Sequence, residues 1–187
     1  MWLNAQVFKR SSRKPAEDTA ARNLTPEERR AKMFQRAVKL LAAKPRSVSE
    51  LRERLLQGRY ASKSVVEEVI TRLREYGYLD DQHYAFSFAS NKVKQKPTGR
   101  RRLERDLMMK KVDRAVADEA LDKVFEETPE EELIDRAIEK RIRLRGRPTK
   151  QLEAKSLFDH LLRQGFPFDL VSDKVRAVSR AVAEDEE

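Results

Sequence analysis

The sequence contains no cysteine, two histidines, five glycines and one tryptophan in 187 residues, and aromatic residues make up 7% of it. Each scarcity excludes a class of chemistry. Without cysteine there is no disulfide framework, no thiolate zinc site and no thiol nucleophile. His83 and His160 alone leave little from which to build a histidine-based metal or catalytic centre. So few glycines supply neither a P-loop nor a dinucleotide fingerprint, and no HExxH occurs. No run approaches the roughly 18 apolar residues of a membrane helix. The opening Met1–Arg10 puts a short apolar patch ahead of its charges, the reverse of a secretory signal, so a cytoplasmic protein without membrane contact is expected. No metal and no cofactor is expected either.

What is abundant is charge. Lys and Arg number 41 against 32 Asp and Glu, a net of +9, and charged residues make up 39% of the chain. The surplus comes in blocks. Lys92–Lys111 holds nine basic and two acidic residues, and Lys140–Lys155 holds seven and one. Between them, 112–139 carries three basic and eleven acidic residues. One basic block is the ordinary solvated face of a helix, but two separated blocks point to a polyanionic partner, because clustered cations release condensed counterions on binding phosphates. The acidic end, Glu184–Glu187, is read as a fraying tail.

Punctuation divides the chain into short helices. Thr25-Pro26-Glu27-Glu28 recurs as Thr128-Pro129-Glu130-Glu131, each a Thr cap followed by Pro at the first helical position and Glu placed to close a capping box. Ser47-x-x-Glu50 and Ser64-x-x-Glu67 fit the same box, and Asp80, Thr98, Asp113, Thr149 and Asp169 are candidate caps. Stop signals fall at Pro45, Gly58, Gly77, Pro97 with Gly99, Pro129, Gly146 with Pro148, and Gly165 with Pro167. Nine helices result. Their apolar residues keep helical spacing, as in Val66, Val69, Ile70 and Leu73, and no segment alternates long enough to be a strand.

The nine helices form three groups. Leu51, Leu55, Leu56 and Tyr60 have the spacing of Leu103, Leu107, Met108 and Val112, and of Leu157, Leu161, Leu162 and Phe166. Arg36-Ala37-Val38 answers Arg136-Ala137-Ile138, with Tyr84-Ala85-Phe86 in the matching place of the middle group. The expected architecture is all-α, an elongated tandem array of three three-helix units of helix-turn-helix type. Residues 1–26 form a basic arm, 27–79, 80–127 and 128–183 the units, and 184–187 the tail; a monomer is expected.

Candidate chemistry is sparse. Asp80-Asp81 beside His83, and Asp159-His160, resemble acid–base or metal pairs, but carboxylates ahead of an apolar-periodic run are read as helix caps, and His160 as structural. Tyr76, Tyr78, Tyr84, Phe86 and Phe88 are read as core rather than as stacking platforms for bases. Residues 47–79 also read as the helical part of a winged-helix reader, which would make the protein a sequence-specific transcription regulator. A wing, however, needs two strands after Leu79, where Asp80-Asp81 opens a helix instead.

The ordered series Tyr76-Gly77-Tyr78-Leu79-Asp80-Asp81, Tyr84-Ala85, Phe88, Gly99-Arg100, Leu103, Asp106-Leu107, Arg136-Ala137, Leu157, Leu161-Leu162 and Gly165-Phe166 resembles the RecX regulatory proteins, bacterial modulators of the RecA recombinase. The resemblance spans residues 30–180. It departs at Lys111, where the family often has glycine, and in the 1–26 arm. It implies an array that lodges in the groove of a RecA–DNA filament and inhibits ATP hydrolysis and strand exchange, with direct binding to single- and double-stranded DNA. The expected contact residues are Lys92, Lys94, Lys96, Arg100, Arg101, Arg102, Arg105, Lys110 and Lys111, with Arg141, Arg143, Arg145, Arg147 and Lys150. Arg100, Arg101 and Arg102 fan over about 200° of one helix, so they do not all share a face.

Overall fold

The computed structural model of the chain describes residues 24–58 and 61–185. The expected arm and Tyr60 therefore lie outside the described residues, except for the arm's last three positions. Among the described residues there are nine helices and no strand. Unit 1 comprises α1 (Pro26–Ala43), α2 (Val48–Leu56) and α3 (Lys63–Glu75). Unit 2 comprises α4 (Asp81–Gln95), α5 (Arg100–Met109) and α6 (Arg114–Glu127). Unit 3 comprises α7 (Glu130–Arg145), α8 (Gln151–Gln164) and α9 (Phe168–Asp185). The last helix runs through Glu184 and Asp185, two residues into the expected tail.

Local signals explain most starts. Thr25 closes a full capping box with Glu28, and Asp80 accepts from the Gln82 and His83 amides at 2.8 and 3.1 Å. Ser47 and Asp113 cap α2 and α6. Five expected caps behave differently. Ser62 rather than Ser64 caps α3, because the helix has already begun at Lys63. Thr128 ends α6 through its amide to Val124, and Pro129 takes the capping position without a side-chain bond. Thr98 is buried with its hydroxyl on the Lys96 carbonyl, leaving Gly99 at the cap. Thr149 precedes the cap of α8, which is Lys150, and Asp169 lies inside α9.

In each unit the third helix packs against the other two. Met33, Leu51, Leu55, Ile70 and Leu73 form the core of unit 1. Units 2 and 3 share one continuous core that includes Leu103, Leu107, Leu121, Leu133, Leu161 and Phe166. Burying each such side chain contributes about 1.5–3 kcal/mol, so a shared core couples the two units far more strongly than surface contacts would.

The middle helices stand head to tail. The Ser47 hydroxyl at the start of α2 donates to the Lys110 carbonyl at the end of α5, at 2.5 Å. One repeat later the Gly99 amide at the start of α5 donates to the Gln164 carbonyl at the end of α8, at 3.0 Å. The result is a column, α8 to α5 to α2, in which the negative end of one helix dipole meets the positive end of the next. The first residue of the leading helix of each following unit completes the joint. Asp81 Oδ1 accepts from the Val48 amide at 2.8 Å, and Glu130 Oε1 from the Arg100 amide at 2.7 Å. In unit 3 the carboxylate at the corresponding helix start comes from α8 itself, where Glu153 accepts from the Thr149 and Lys150 amides at 2.9 and 3.3 Å.

Candidate nucleic-acid interface

The basic side chains divide into those spent on holding the array together and those left facing solvent. Arg100 is spent. Its guanidinium meets Glu104 at 3.1 Å and Asp122 at 2.7 Å while its amide holds Glu130. Burial alone would lower its pKa, but hydrogen bonds and charge from Asp122 and Glu104 outweigh that and hold it above the usual value. Lys110 reaches Glu50 across the joint at 3.3 Å, and Lys111 pairs with Glu53. Lys111 also occupies the left-handed region at φ +57°, ending α5 in the turn that Gly165 makes after α8 at φ +93°. In both turns an amide reaches back to a leucine carbonyl, Val112 to Leu107 at 3.2 Å and Phe166 to Leu161 at 3.4 Å.

The remainder are exposed or half-exposed. Lys92 sits 3.9 Å from Asp106 and 5.5 Å from the centre of the Phe88 ring. It lines a groove of about 930 Å³ between units 1 and 2, together with Tyr78, Tyr84 and Met109. Lys94 and Lys96 extend from the last turn of α4. Arg101 and Arg105, one helical turn apart, face outward from α5, and the Arg105 guanidinium donates to the Arg101 carbonyl. The guanidinium of Arg102 turns to the Arg163 carbonyl at 3.3 Å. In unit 3, Arg143, Arg145, Arg147 and Lys150 are exposed, while Arg141 is half-buried and donates to Ser156 at 3.2 Å. The expected residues therefore do not make one surface: Arg100, Lys110 and Lys111 serve the joints, and the others lie along units 2 and 3.

Two residues outside the expected set join the second group. His160, on α8, feels the charge of Arg141 and Arg145 of α7, of Lys96 of unit 2 and of Arg163 on its own helix, and Arg163 in turn bears on Arg141. Burial and these cations hold the His160 pKa below its usual value. Burial, Arg145 and Arg163 do the same to Arg141. The sequence signal was present in the spacing Ser156, His160, Arg163, which puts all three on one side of α8; what it could not show was which helix faces them.

The aromatic cluster splits. Tyr84 and Phe88 stack with centroids 6.1 Å apart against the shared core, and Phe86 is partly buried there. Tyr76 and Tyr78, read as core, are instead 53% and 65% exposed. The tight turn at Gly77, φ +70°, carries both to the surface, where Tyr76 packs edge-on to Phe34 at 6.2 Å with Arg72 over its ring. Of the acidic pairs, Asp80 caps and Asp81 joins units. Among the described residues no group of three or more potential ligands is placed to hold a metal, and no helix is long and apolar enough to cross a membrane.

Repeated three-helix units joined in this way can be compared with known proteins. Family models for the first and second three-helix domains of RecX match residues 34–73 and 80–121. Regulatory protein RecX of Treponema pallidum is 40% identical over 110 residues, covering 59% of this chain and 66% of that protein. The chain belongs to the RecX family. Regulatory protein RecX of Bacillus subtilis is 32% identical over 159 residues, 83% of this chain and 58% of its own length. The match thus spans less than two thirds of either relative. The crystal structure of RecX from Lactobacillus salivarius superposes with a TM-score of 0.71 over 83% of this chain and 99% of that one, at 19% identity, a likeness of fold. In RecX terms, the joint between α5 and α2 lies at the boundary of the two matched domains.

Proposed function

We propose that this RecX-family chain is a non-enzymatic regulator that binds the RecA–DNA filament in its groove, slows ATP hydrolysis and strand exchange, and contacts single- and double-stranded DNA directly. It acts in the cytoplasm as a monomer. The observation that carries this reading is the row of exposed cations on successive units of a linear array: Lys94, Lys96, Arg101, Arg105, Arg143 and Arg145, none of them within ion-pairing distance of a carboxylate among the described residues. A row of this kind can follow phosphates or acidic patches along a filament without reading bases. The helix-turn-helix alternative has less support, because no strand is present among the described residues to make a wing.

The test is to add the protein to RecA assembled on single-stranded DNA and follow ATP hydrolysis. Hydrolysis should fall at stoichiometric amounts; an unchanged rate overturns the reading. Replacing Arg101 and Arg105 with Ala, both exposed, should weaken DNA binding and reduce the salt slope by about two.

A further inference from the structure

We propose that Lys96, Arg141, Arg145, His160 and Arg163 form one anion cradle that takes a backbone phosphate of nucleic acid at the junction of units 2 and 3. The inference rests on the DNA-contacting part of the proposed function and assigns it a place.

Three features carry it. The first is convergence: the Arg141 guanidinium reaches Ser156 on α8, one turn before His160 and two before Arg163, Arg145 follows Arg141 by one turn of α7, and the Gly99–Gln164 backbone bond brings the segment just after Lys96 to the same end of α8. The Arg141–Ser156 hydrogen bond of 3.2 Å fixes α7 against the side of α8 that bears His160 and Arg163. On the far side, Arg102 holds the Arg163 carbonyl at 3.3 Å and ties α5 to the same helix end. The second is the lack of a counter-charge. Among the described residues no carboxylate comes within 4.0 Å of Lys96, Arg141, Arg145 or Arg163. Seven other cations, Arg30, Arg52, Arg100, Lys110, Lys111, Lys123 and Lys174, each have an acidic partner, and the unpaired Lys94, Arg101, Arg105 and Arg143 are exposed side chains that flank no half-buried imidazole. Four like charges gathered without a partner repel one another, and an incoming phosphate relieves that repulsion. The third is the half-buried position of His160 among them. The groups that bear on it are Arg141 and Arg145 from α7, Lys96 from the end of α4 and Arg163 from its own helix, all positive.

The consequence is a proton linkage. In the free protein burial and the surrounding cations keep the imidazole neutral to a lower pH than usual. A bound phosphate offsets those charges and favours the imidazolium, so binding takes up a proton and strengthens as the pH falls.

The chain has only two histidines, so their proton resonances are separable, and His160→Gln assigns them. The full chain is titrated from pH 5.5 to 8.5 alone, with a 12-nucleotide oligothymidylate and with inorganic phosphate. The oligonucleotide should raise the His160 midpoint by about one pH unit. Oligonucleotide affinity should rise about fivefold from pH 8 to 6 in the wild type and much less in His160→Gln. Arg141→Gln with Arg163→Gln should weaken it about tenfold at both pH values, with the helical circular dichroism melt unchanged. A saturating oligonucleotide that leaves the His160 midpoint where it was overturns the cradle, while RecA inhibition and DNA binding through Arg101 and Arg105 would still stand. An equal response to millimolar inorganic phosphate overturns the assignment to nucleic acid. Loss of filament binding by the Arg variants with oligonucleotide binding intact also overturns it, in favour of acidic protein patches.

Discussion

At the joint of units 1 and 2, the side chains of Ser47 and Asp81 make the contacts that close the column. At the joint of units 2 and 3, the corresponding positions are Gly99 and Glu130, and Gly99 uses its backbone amide. Losing the side chain brings the backbones together. A Cβ added to Gly99 would come within 2.4 Å of Gly165, and one on Gly165 within 2.5 Å of Arg102. With that approach the two units share a core, whereas unit 1 keeps its own and meets unit 2 through Ser47 and the pairs Lys110–Glu50 and Lys111–Glu53. Two joints built to one plan thus differ in what fills them: apolar contact in one, hydrogen bonds and ion pairs in the other. Polar joints of this kind contribute about 1 kcal/mol per bond and are screened by salt, so unit 1 is the part expected to move against a stiff body of units 2 and 3.

The largest effect should come from breaking the tight joint. Gly165→Ala puts a Cβ both at φ +93° and into the backbone of α5, and should cost about 3 kcal/mol in chemical denaturation. Hydrogen exchange should accelerate in α5 and α8 and stay unchanged in α1–α3. Equal acceleration in unit 1 would mean that the two joints are not independent. Next, Ser47→Ala removes both the cap on the Glu50 amide and the donor to Lys110, and should cost about 1–2 kcal/mol, seen as faster exchange confined to α2 and the end of α5.

Lys111→Gly should act in the opposite direction. It relieves a left-handed residue and gives up only an exposed ion pair, for a net gain of about 0.5–1 kcal/mol, measured as a higher melting temperature. The smallest effect concerns the paired carboxylates. Burial holds Asp81 and Glu130 above their ordinary values of 3.8 and 4.5 despite the amides they accept. Because the folded state binds these protons more tightly, the stability they contribute is lost as the pH rises from the ordinary value through the folded one. Glu130→Gln keeps the acceptor for Arg100 and should flatten that dependence by a few tenths of a kcal/mol, since the group is partly solvated. A stability profile between pH 4 and 7 that the substitution leaves unaltered would refute this account of Glu130.

Helix starts and stops were legible because their signals are local. Thr25 and Glu28 act across three residues, and the stripe Val66, Val69, Ile70, Leu73 repeats with the helix itself. Where a residue had two competing partners, reading failed. Glu131 has the spacing for the box at Thr128, but the Thr128 amide turns back to Val124 to end α6, and the neighbouring Glu130 carboxylate goes to the Arg100 amide thirty residues away. Arg100 was expected on the binding surface because its block is basic, yet its charge answers Asp122 and Glu104. His160 lay hidden for the converse reason: nothing beside it in sequence announces Lys96 or Arg141.

Caps, breakers and apolar periodicity operate within a turn or two of the chain, so the helices, their grouping in threes and the alternation of charge follow from the order of residues alone. The column of middle helices, the weld of two units at Gly99 and Gly165 against the polar joint at Ser47, and the choice of which cations find a carboxylate arise from the packing of the folded units. Those outcomes depend on contacts between residues 30 to 66 positions apart, where packing of one unit against the next selects among partners that the local pattern leaves equivalent.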